Sequence, residues 1–297
     1  GGIYERTDNK MLSYDFRASA TYNKTFNNTH IINLYGGMSV NKIDRHNTWF
    51  RGWGLQYDMG MEPYYDYLAF KQGMESGSKY YTIGDSFYRE VAFFFNGTYS
   101  YKGRYTINGT YRYEGTNKMG KSRKARWLPT WNISGAWNVH EEKFFSHVQP
   151  ALSHLSLKAS YSLTADRGPS YVTNSLAVIK ASTPWRPTSG DTETGLKVSS
   201  LENAQLTYEK KHELNLGLDV GFVNNRINLA FDWYKRNNFD LIGTVTTQGI
   251  GGEISKYGNV AEMKSNGVEI SLSTKNVQTK NFSWTTNFIY SHIHNEV

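Results

Sequence analysis

The sequence predicts an all-β chain: an antiparallel transmembrane β-barrel of the outer-membrane type, seen in part as roughly ten strands, with long extracellular loops and short periplasmic turns. Three observations predict it: alternation with a period of two, connections that alternate short and long, and an unusual composition. Hydrophobic residues make up only 38% of the 297, yet aromatics reach 15% and glycines number 27. A chain poor in aliphatics and rich in aromatics suits β-structure with two unlike faces. The aromatic share also argues against intrinsic disorder.

The alternation is clearest from the middle of the chain onward. Tyr105, Ile107, Gly109, Tyr111 and Tyr113 alternate with Arg104, Thr106, Asn108, Thr110, Arg112 and Glu114. The same period runs from Trp131 to Val139, from Leu155 to Leu163, from Leu214 to Phe222 and from Ile227 to Trp233. Weaker versions cover 14–22, 31–41, 91–101, 264–274 and 282–292. Many are about ten residues long, the length at which a tilted strand crosses a bilayer. Charges such as Arg104, Arg112 and Glu114 would cost several kcal/mol each near the middle of a membrane. The apolar set therefore faces lipid, and the charged set faces a wet or plugged lumen.

The connections 23–30, 102–103, 223–225 and 275–281 are short and 140–153 is intermediate, whereas 42–90, 115–128, 166–211 and 247–263 are long. A soluble sandwich has no reason for that rhythm; an up-and-down outer-membrane barrel does. Aromatics cluster near strand ends, at Tyr99, Tyr101, Tyr111, Tyr113, Trp131, Trp137, Trp233, Trp284 and Tyr290, as interfacial girdles require. Cross-strand pairing in a soluble sheet is the plainer explanation of any one of them.

No window approaches the 18 or so apolar residues of a spanning helix, a test that says nothing of barrels. The chain has no cysteine, which excludes disulfides, zinc–thiolate sites and cysteine nucleophiles. Its first residues lack the features of a signal peptide, so any export signal is expected upstream. The net charge of +7 is scattered except for Lys118, Lys121, Arg123, Lys124 and Arg126. That run has the look of a nucleic-acid patch, but a solvated loop is the more ordinary reading, and no nucleic-acid partner is expected.

Several segments, taken in order, resemble the SusC/RagA family of TonB-dependent outer-membrane transporters. Residues 101–115 resemble its strand–turn–strand leading into an R-x-D-G-S-S loop, and 126–145 resemble W-x-P-S-x-S-x-x-W-x-[IV]-x-x-E-x-F. Residues 155–164 resemble L-K-L-R-x-S-Y-G-x-T-G, and 258–272 resemble G-N-x-G-x-x-x-N-x-G-x-E-x-x-L. The resemblance is firm over 91–297 and faint over 1–90. Glu114 stands where Asp is usual, Lys121 to Lys124 replace small and aromatic loop residues, and Thr164-Ala165-Asp166 replaces T-G-N.

The resemblance implies that 1–297 is part of one TonB-dependent receptor β-barrel domain, without plug domain or closing strands. A barrel of that class has about 22 strands. It implies active import of nutrient oligomers, glycans or peptides, across the outer membrane of a Gram-negative, Bacteroidetes-like bacterium. The implied partners are the lipid bilayer, a SusD-like surface lipoprotein acting as lid, and the TonB–ExbB–ExbD complex, reached through a missing N-terminal region. A passive porin, an outer-membrane barrel enzyme and a soluble β-rich adhesin remain as alternatives.

Enzymatic signatures are absent, so no catalytic residue, metal or cofactor is expected. The glycines of 249–252 lack a phosphate-loop context, and His292 and His294 share a strand face without a third ligand. His140-Glu141-Glu142 reads better as a tight turn than as acid–base machinery. The sequons at Asn96 and Asn132 fall on predicted strands. Aromatic rings beside polar groups suit stacking on sugars or gripping peptides, which makes Trp49, Trp53, Tyr64, Tyr65, Trp185 and Arg186 the candidate substrate-binding residues, with Tyr80 and Tyr81 nearby. Loop packing is the commoner role for any single one.

Overall fold

A computed structural model describes residues 2–64, 66–149, 151–168, 177–182, 195–249 and 253–297. Strands β1 (Gly2–Phe26), β2 (His30–Gln56), β3 (Glu62–Pro63), β4 (Tyr81–Tyr101), β5 (Tyr105–Thr116), β6 (Trp127–Asn138) and β7 (Leu152–Asp166) come first. They are followed by β8 (Val178–Ser182), β9 (Gly195–Ser200), β10 (Glu209–Phe222), β11 (Ile227–Thr246), β12 (Ser255–Gln278) and β13 (Ser283–Glu296). Helix α1 (Tyr67–Glu75) lies between β3 and β4, and the single turn α2 (Arg123–Arg126) precedes β6. One sheet has the order β1-β2-β4-β5-β6-β7-β10-β11-β12-β13, with β3 paired to β2, while β8 and β9 form a separate hairpin.

Sequence order is thus sheet order, an up-and-down meander. The chain divides into two compact units. Unit 1 comprises 1–16 and 39–90; unit 2 comprises 17–38 and 91–297.

In unit 2 the ladders set the apolar positions side by side. Ile107 lies opposite Gly135 and Tyr105 opposite Trp137. Trp137 in turn faces Leu157, Leu157 faces Leu218, Leu218 faces Phe231, Phe231 faces Ile270 and Ile270 faces Tyr290. This row is uncovered: Ile107 and Ile133 are each 59% exposed. A water-soluble domain would hide such a face. The intervening positions carry Asn108, Lys158, Asp219, Glu213 and Arg236 on the opposite face.

The turns explain themselves locally. Asn27 and Asn28 join β1 to β2 in left-handed conformation, φ 49° and 53°, which asparagine tolerates better than most residues. Lys102 and Gly103 join β4 to β5, and Arg104 N donates to Tyr101 O at 2.9 Å. Val223, Asn224 and Asn225 join β10 to β11, all at positive φ. Between β6 and β7 the chain makes two 3-10 turns, Val139–Glu141 and Lys143–His147. There Glu142 accepts from Arg104 Nη1 at 3.1 Å, Tyr105 Oη at 2.5 Å and Trp137 Nε1 at 3.3 Å. His140 Nδ1 lies 2.9 Å from Leu155 O, so His140-Glu141-Glu142 is tied into turn geometry.

Five expected elements are corrected. The expected strands 14–22 and 31–41 are far longer, and much of the expected loop 42–90 is strand, in β2 and β4. Expected loop 166–211 contains β8 and β9, and β12 starts at Ser255 rather than 264. Ladder hydrogen bonds extend strands wherever partners run on, whether or not one face is apolar.

Candidate functional site

Unit 1 gathers aromatic side chains that the sequence scattered. Trp53 is on β2, and α1 packs near it. Asp66 caps α1, its Oδ1 accepting from Ala69 N at 3.0 Å, and Ser76 closes it by donating to Gln72 O from N at 3.0 Å and to Gly73 O from Oγ at 2.8 Å. A Cβ on Gly73 would come within 3.2 Å of the Trp53 ring, so helix and indole approach closely.

Trp53 meets Phe70 edge-on at 5.9 Å between centroids, Phe70 meets Tyr80 at 5.2 Å, and Tyr80 meets Tyr81 at 4.7 Å. Edge-to-face packing of this kind adds about 0.5–1.5 kcal/mol per pair beyond burial. Phe50, Arg51, Trp53, Asp66, Tyr67 and Tyr80 line a cavity of about 380 Å³ beside it, within the usual range for small-ligand sites. Arg51 Nε donates to Glu5 Oε1 at 2.7 Å, and its guanidinium sits over the Trp49 ring at 5.0 Å.

Of the six candidate residues, the structure places Trp53 on this cavity and Trp49 against Arg51. Tyr64 is 62% exposed, its amide donating to Gly54 O at 3.0 Å. Tyr65, Trp185 and Arg186 lie outside the described residues. Sequence reasoning missed Phe50, Arg51, Asp66, Tyr67 and Phe70. The available signal was Asp66 before Tyr67-Leu68-Ala69, a helix-start pattern inside an apparent loop.

Unit 2 carries the second chemical feature, its polar face. Lys158 pairs with Asp219, and Glu213 pairs with Lys211 at 2.8 Å and Arg236 at 3.1 Å. Arg236 stacks 4.0 Å over Tyr234. Asn108 donates to Thr98 at 2.6 Å and Thr106 to Ser100 at 3.1 Å. A depression of about 360 Å³ opens among Asn108, Ser134, Lys158, Ser160, Asn215 and Asp232.

Aromatic stacks bound the apolar face of β5 and β6 at both ends. Tyr105 stacks on Trp137 at 6.2 Å beside the short turn, and Tyr113 stacks on Trp127 at 5.0 Å beside the β5–β6 loop. Gly115 makes room for the second stack, since a Cβ there would meet the Trp127 ring at 2.6 Å. The stacks are eight residues apart on β5 and ten on β6. At about 3.3 Å per residue and a tilt near 40°, that spans roughly 20–25 Å, the height of a membrane barrel's apolar band. Trp131, expected near a strand end, instead meets Tyr161 edge-on at 5.4 Å between the stacks.

Among the described residues, no three His, Asp or Glu side chains are grouped to hold a metal, and no helix is long and apolar enough to cross a membrane. His294 lies 3.4 Å from Glu296.

The profile of the TonB-dependent receptor-like β-barrel matches residues 2–296. This chain belongs to the TonB-dependent receptor β-barrel family. It is 26% identical, over 93% of its length, to TonB-dependent receptor P3 of Formosa agariphila, covering 26% of that protein. It is 29% identical over 59% of its length to TonB-dependent receptor SusC of Bacteroides thetaiotaomicron, covering 18% of it. The RagAB peptide transporter structure superposes with a TM-score of 0.81 at 21% identity, over 99% of this chain and 31% of that one. The outer-membrane transporter YddB of Escherichia coli gives 0.58 at 12% identity, over 99% of this chain and 34% of that one. The chain thus spans about a quarter of the curated relatives it matches along most of its length. As a TonB-dependent receptor barrel seen in part, it has its uncovered apolar row on the lipid side and its charged row on the lumen side.

Proposed function

We propose that this chain is part of the barrel wall of a TonB-dependent importer that moves nutrient oligomers, glycans or peptides, across a Gram-negative outer membrane. The plug, the closing strands and the contact with TonB–ExbB–ExbD belong to parts of the protein outside this chain, and a SusD-like lipoprotein covers the external loops. Membership of the family and the SusC and RagAB likenesses support that assembly. The observation that carries it is the charged lumen face. Lys158, Asp219, Glu213 and Arg236 need a wide, wet or plugged interior, because a small closed barrel would have to bury them at a cost of several kcal/mol per charge. An oligomer too large for a porin needs that width, and a wide lumen leaks unless a plug moved by TonB closes it.

In this reading the protein is not an enzyme. The Trp53 cavity, with Trp49 and Tyr64, contacts the cargo by stacking; Tyr65, Trp185 and Arg186, outside the described residues, remain separate loop candidates for the same role. The test is uptake of labelled oligopeptides and oligosaccharides by cells carrying the intact protein, with and without TonB. TonB-dependent uptake of one class is the expected result; TonB-independent uptake would make it a porin. Trp53→Ala should raise the half-saturating cargo concentration about tenfold, the loss of one stacked ring, with maximal rate retained. An unchanged half-saturation removes Trp53 from the cargo site.

A further inference from the structure

On the polar face of unit 2, cations come with partners. Arg104 pairs with Glu142, Arg112 with Glu114, Lys158 with Asp219, and Lys211 and Arg236 share Glu213. Arg17, on β1, departs from this: it is exposed and has no acidic partner among the described residues. Asp15, the nearest acid in sequence, accepts from Asn41 Nδ2 at 3.2 Å instead. Arg17 is nevertheless held in place. Its Nη2 donates to Tyr35 Oη on β2 at 2.8 Å, and its guanidinium lies over the Phe94 ring of β4 at 4.9 Å. Tyr35 and Phe94 in turn meet at 5.4 Å between centroids. Ordering a long side chain between two rings costs rotamer entropy that a merely solvated cation keeps.

The polar side chains beside it are also unspent. Nearer the short turns, neighbours satisfy one another: Asn108 donates to Thr98, Thr106 to Ser100, and Ser156 to Asn138 at 3.0 Å. Beside Arg17 they do not. Asn96, Thr110 and Asn132 are half-buried and make no side-chain hydrogen bond among the described residues. Thr110 stands directly opposite Asn132 on the β5–β6 ladder. Arg17, Tyr35, Phe94, Asn96, Thr110 and Asn132 line a depression of about 350 Å³. It runs from Asn132, midway between Trp127 and Trp137 on β6, to Arg112, one residue short of Tyr113 on β5. It therefore occupies the outer half of the wall, toward the long connections.

We propose that this depression is a carboxylate subsite for the cargo, so that the imported oligomer is acidic. Tyr35 engages one N–H donor of Arg17, and the rest suffice for a two-pronged pair with a carboxylate. Phe94 covers the guanidinium on one side. Asn96, Thr110 and Asn132 supply neutral donors and acceptors for the hydroxyls or amides next to that carboxylate. The other cations of this face are already taken by glutamate or aspartate. The inference rests on the import reading and narrows its cargo. Uronic acids of a glycan and acidic side chains of a peptide present the same group.

The test measures equilibrium binding to the intact protein in detergent. The probes are two matched pairs: oligogalacturonate against its methyl ester, and an aspartate-containing oligopeptide amide against its asparagine counterpart. The wild type should bind the acidic member of at least one pair about tenfold more tightly than the neutral one, the value of one charge-assisted contact. The pair that responds identifies the source of the carboxylate. Arg17→Gln should bring the acidic member down to the affinity of the neutral one, and Arg17→Lys should restore part of the difference. No preference in the wild type overturns the proposal, and so does a preference that survives in Arg17→Gln. Wild-type indifference with a lowered unfolding midpoint for Arg17→Gln also overturns it, and would give Arg17 to a carboxylate of the plug. Folding is checked by migration of unheated samples in gels. If Arg17→Gln fails that check, Tyr35→Phe decides: loss of the anchor should cut the preference about threefold, and an unchanged preference overturns the proposal. An acidic preference in binding together with TonB-independent uptake would count against the import reading and leave the subsite standing.

Discussion

Unit 1 and the wall of unit 2 are built from the same antiparallel ladders, yet their faces differ. In unit 2 one face is aliphatic and aromatic and the other charged. In unit 1 both faces carry charged or polar pairs: Glu5 with Arg51 and Asn9 with Asn47 on one, Arg6 with Asp8 and His46 with Asp85 on the other. Backbone hydrogen bonds alone hold a strand pair in register; side chains decide which solvent each face accepts. Lipid demands an apolar row, and water on both sides removes that demand.

The largest test of this difference is a charge placed on each unit. Ile133→Arg, between the aromatic stacks of unit 2, should cost about 2–4 kcal/mol in reversible unfolding from phospholipid vesicles. Thr7→Arg, exposed in unit 1, should change stability by about 0.5 kcal/mol at most. Equal costs would break the comparison.

At the edge of the apolar band, Gly115→Val should push the Trp127 ring off Tyr113 and cost about 1–3 kcal/mol through overpacking, seen as a shifted tryptophan emission and a lower unfolding midpoint. Val223 is β-branched at φ 50°, a conformation that costs roughly 1 kcal/mol. Val223→Asn should therefore raise stability by about that amount in urea titration, because the turn is set by local backbone rather than by lipid.

The smallest expected effect is a pH dependence. Glu142 lies in the β6–β7 connection, and the hydroxyl of Tyr105 first, then Trp137 and Arg104, hold its carboxyl below the usual range. A depressed folded value means stabilisation that is complete above the ordinary carboxylate pKa and lost as pH falls through the folded value. Glu142→Gln should flatten this acid limb while leaving the neutral plateau nearly unchanged. An identical acid profile would show that the cluster does not contribute.

The wall of unit 2 was legible because its solvent imposes a period. Over 105–113, 131–139, 155–163, 214–222 and 227–233, every second residue had to satisfy lipid, and the alternation shows it directly. The ends of β1, β2 and β4 in unit 1 were not legible, because charged and polar residues on both faces leave no contrast to read. Trp53 was singled out for its chemistry, but its neighbours Phe70 and Tyr80 become partners only through α1, a short helix in an apparent loop. The basic run was legible as a charge cluster and illegible as a folded one. Met119 and Tyr208 are 89 residues apart in sequence and meet only in space.

The sequence by itself determined the antiparallel meander and its membrane-spanning faces, since strand period and loop rhythm are local consequences of a barrel in a bilayer, and the family through the resemblance of its ordered motifs. Only the tertiary structure decided where the strands of unit 1 end, which aromatics share a cavity and how the run of 118–126 is anchored. Those depend on contacts between segments far apart in the chain, where no local pattern is required.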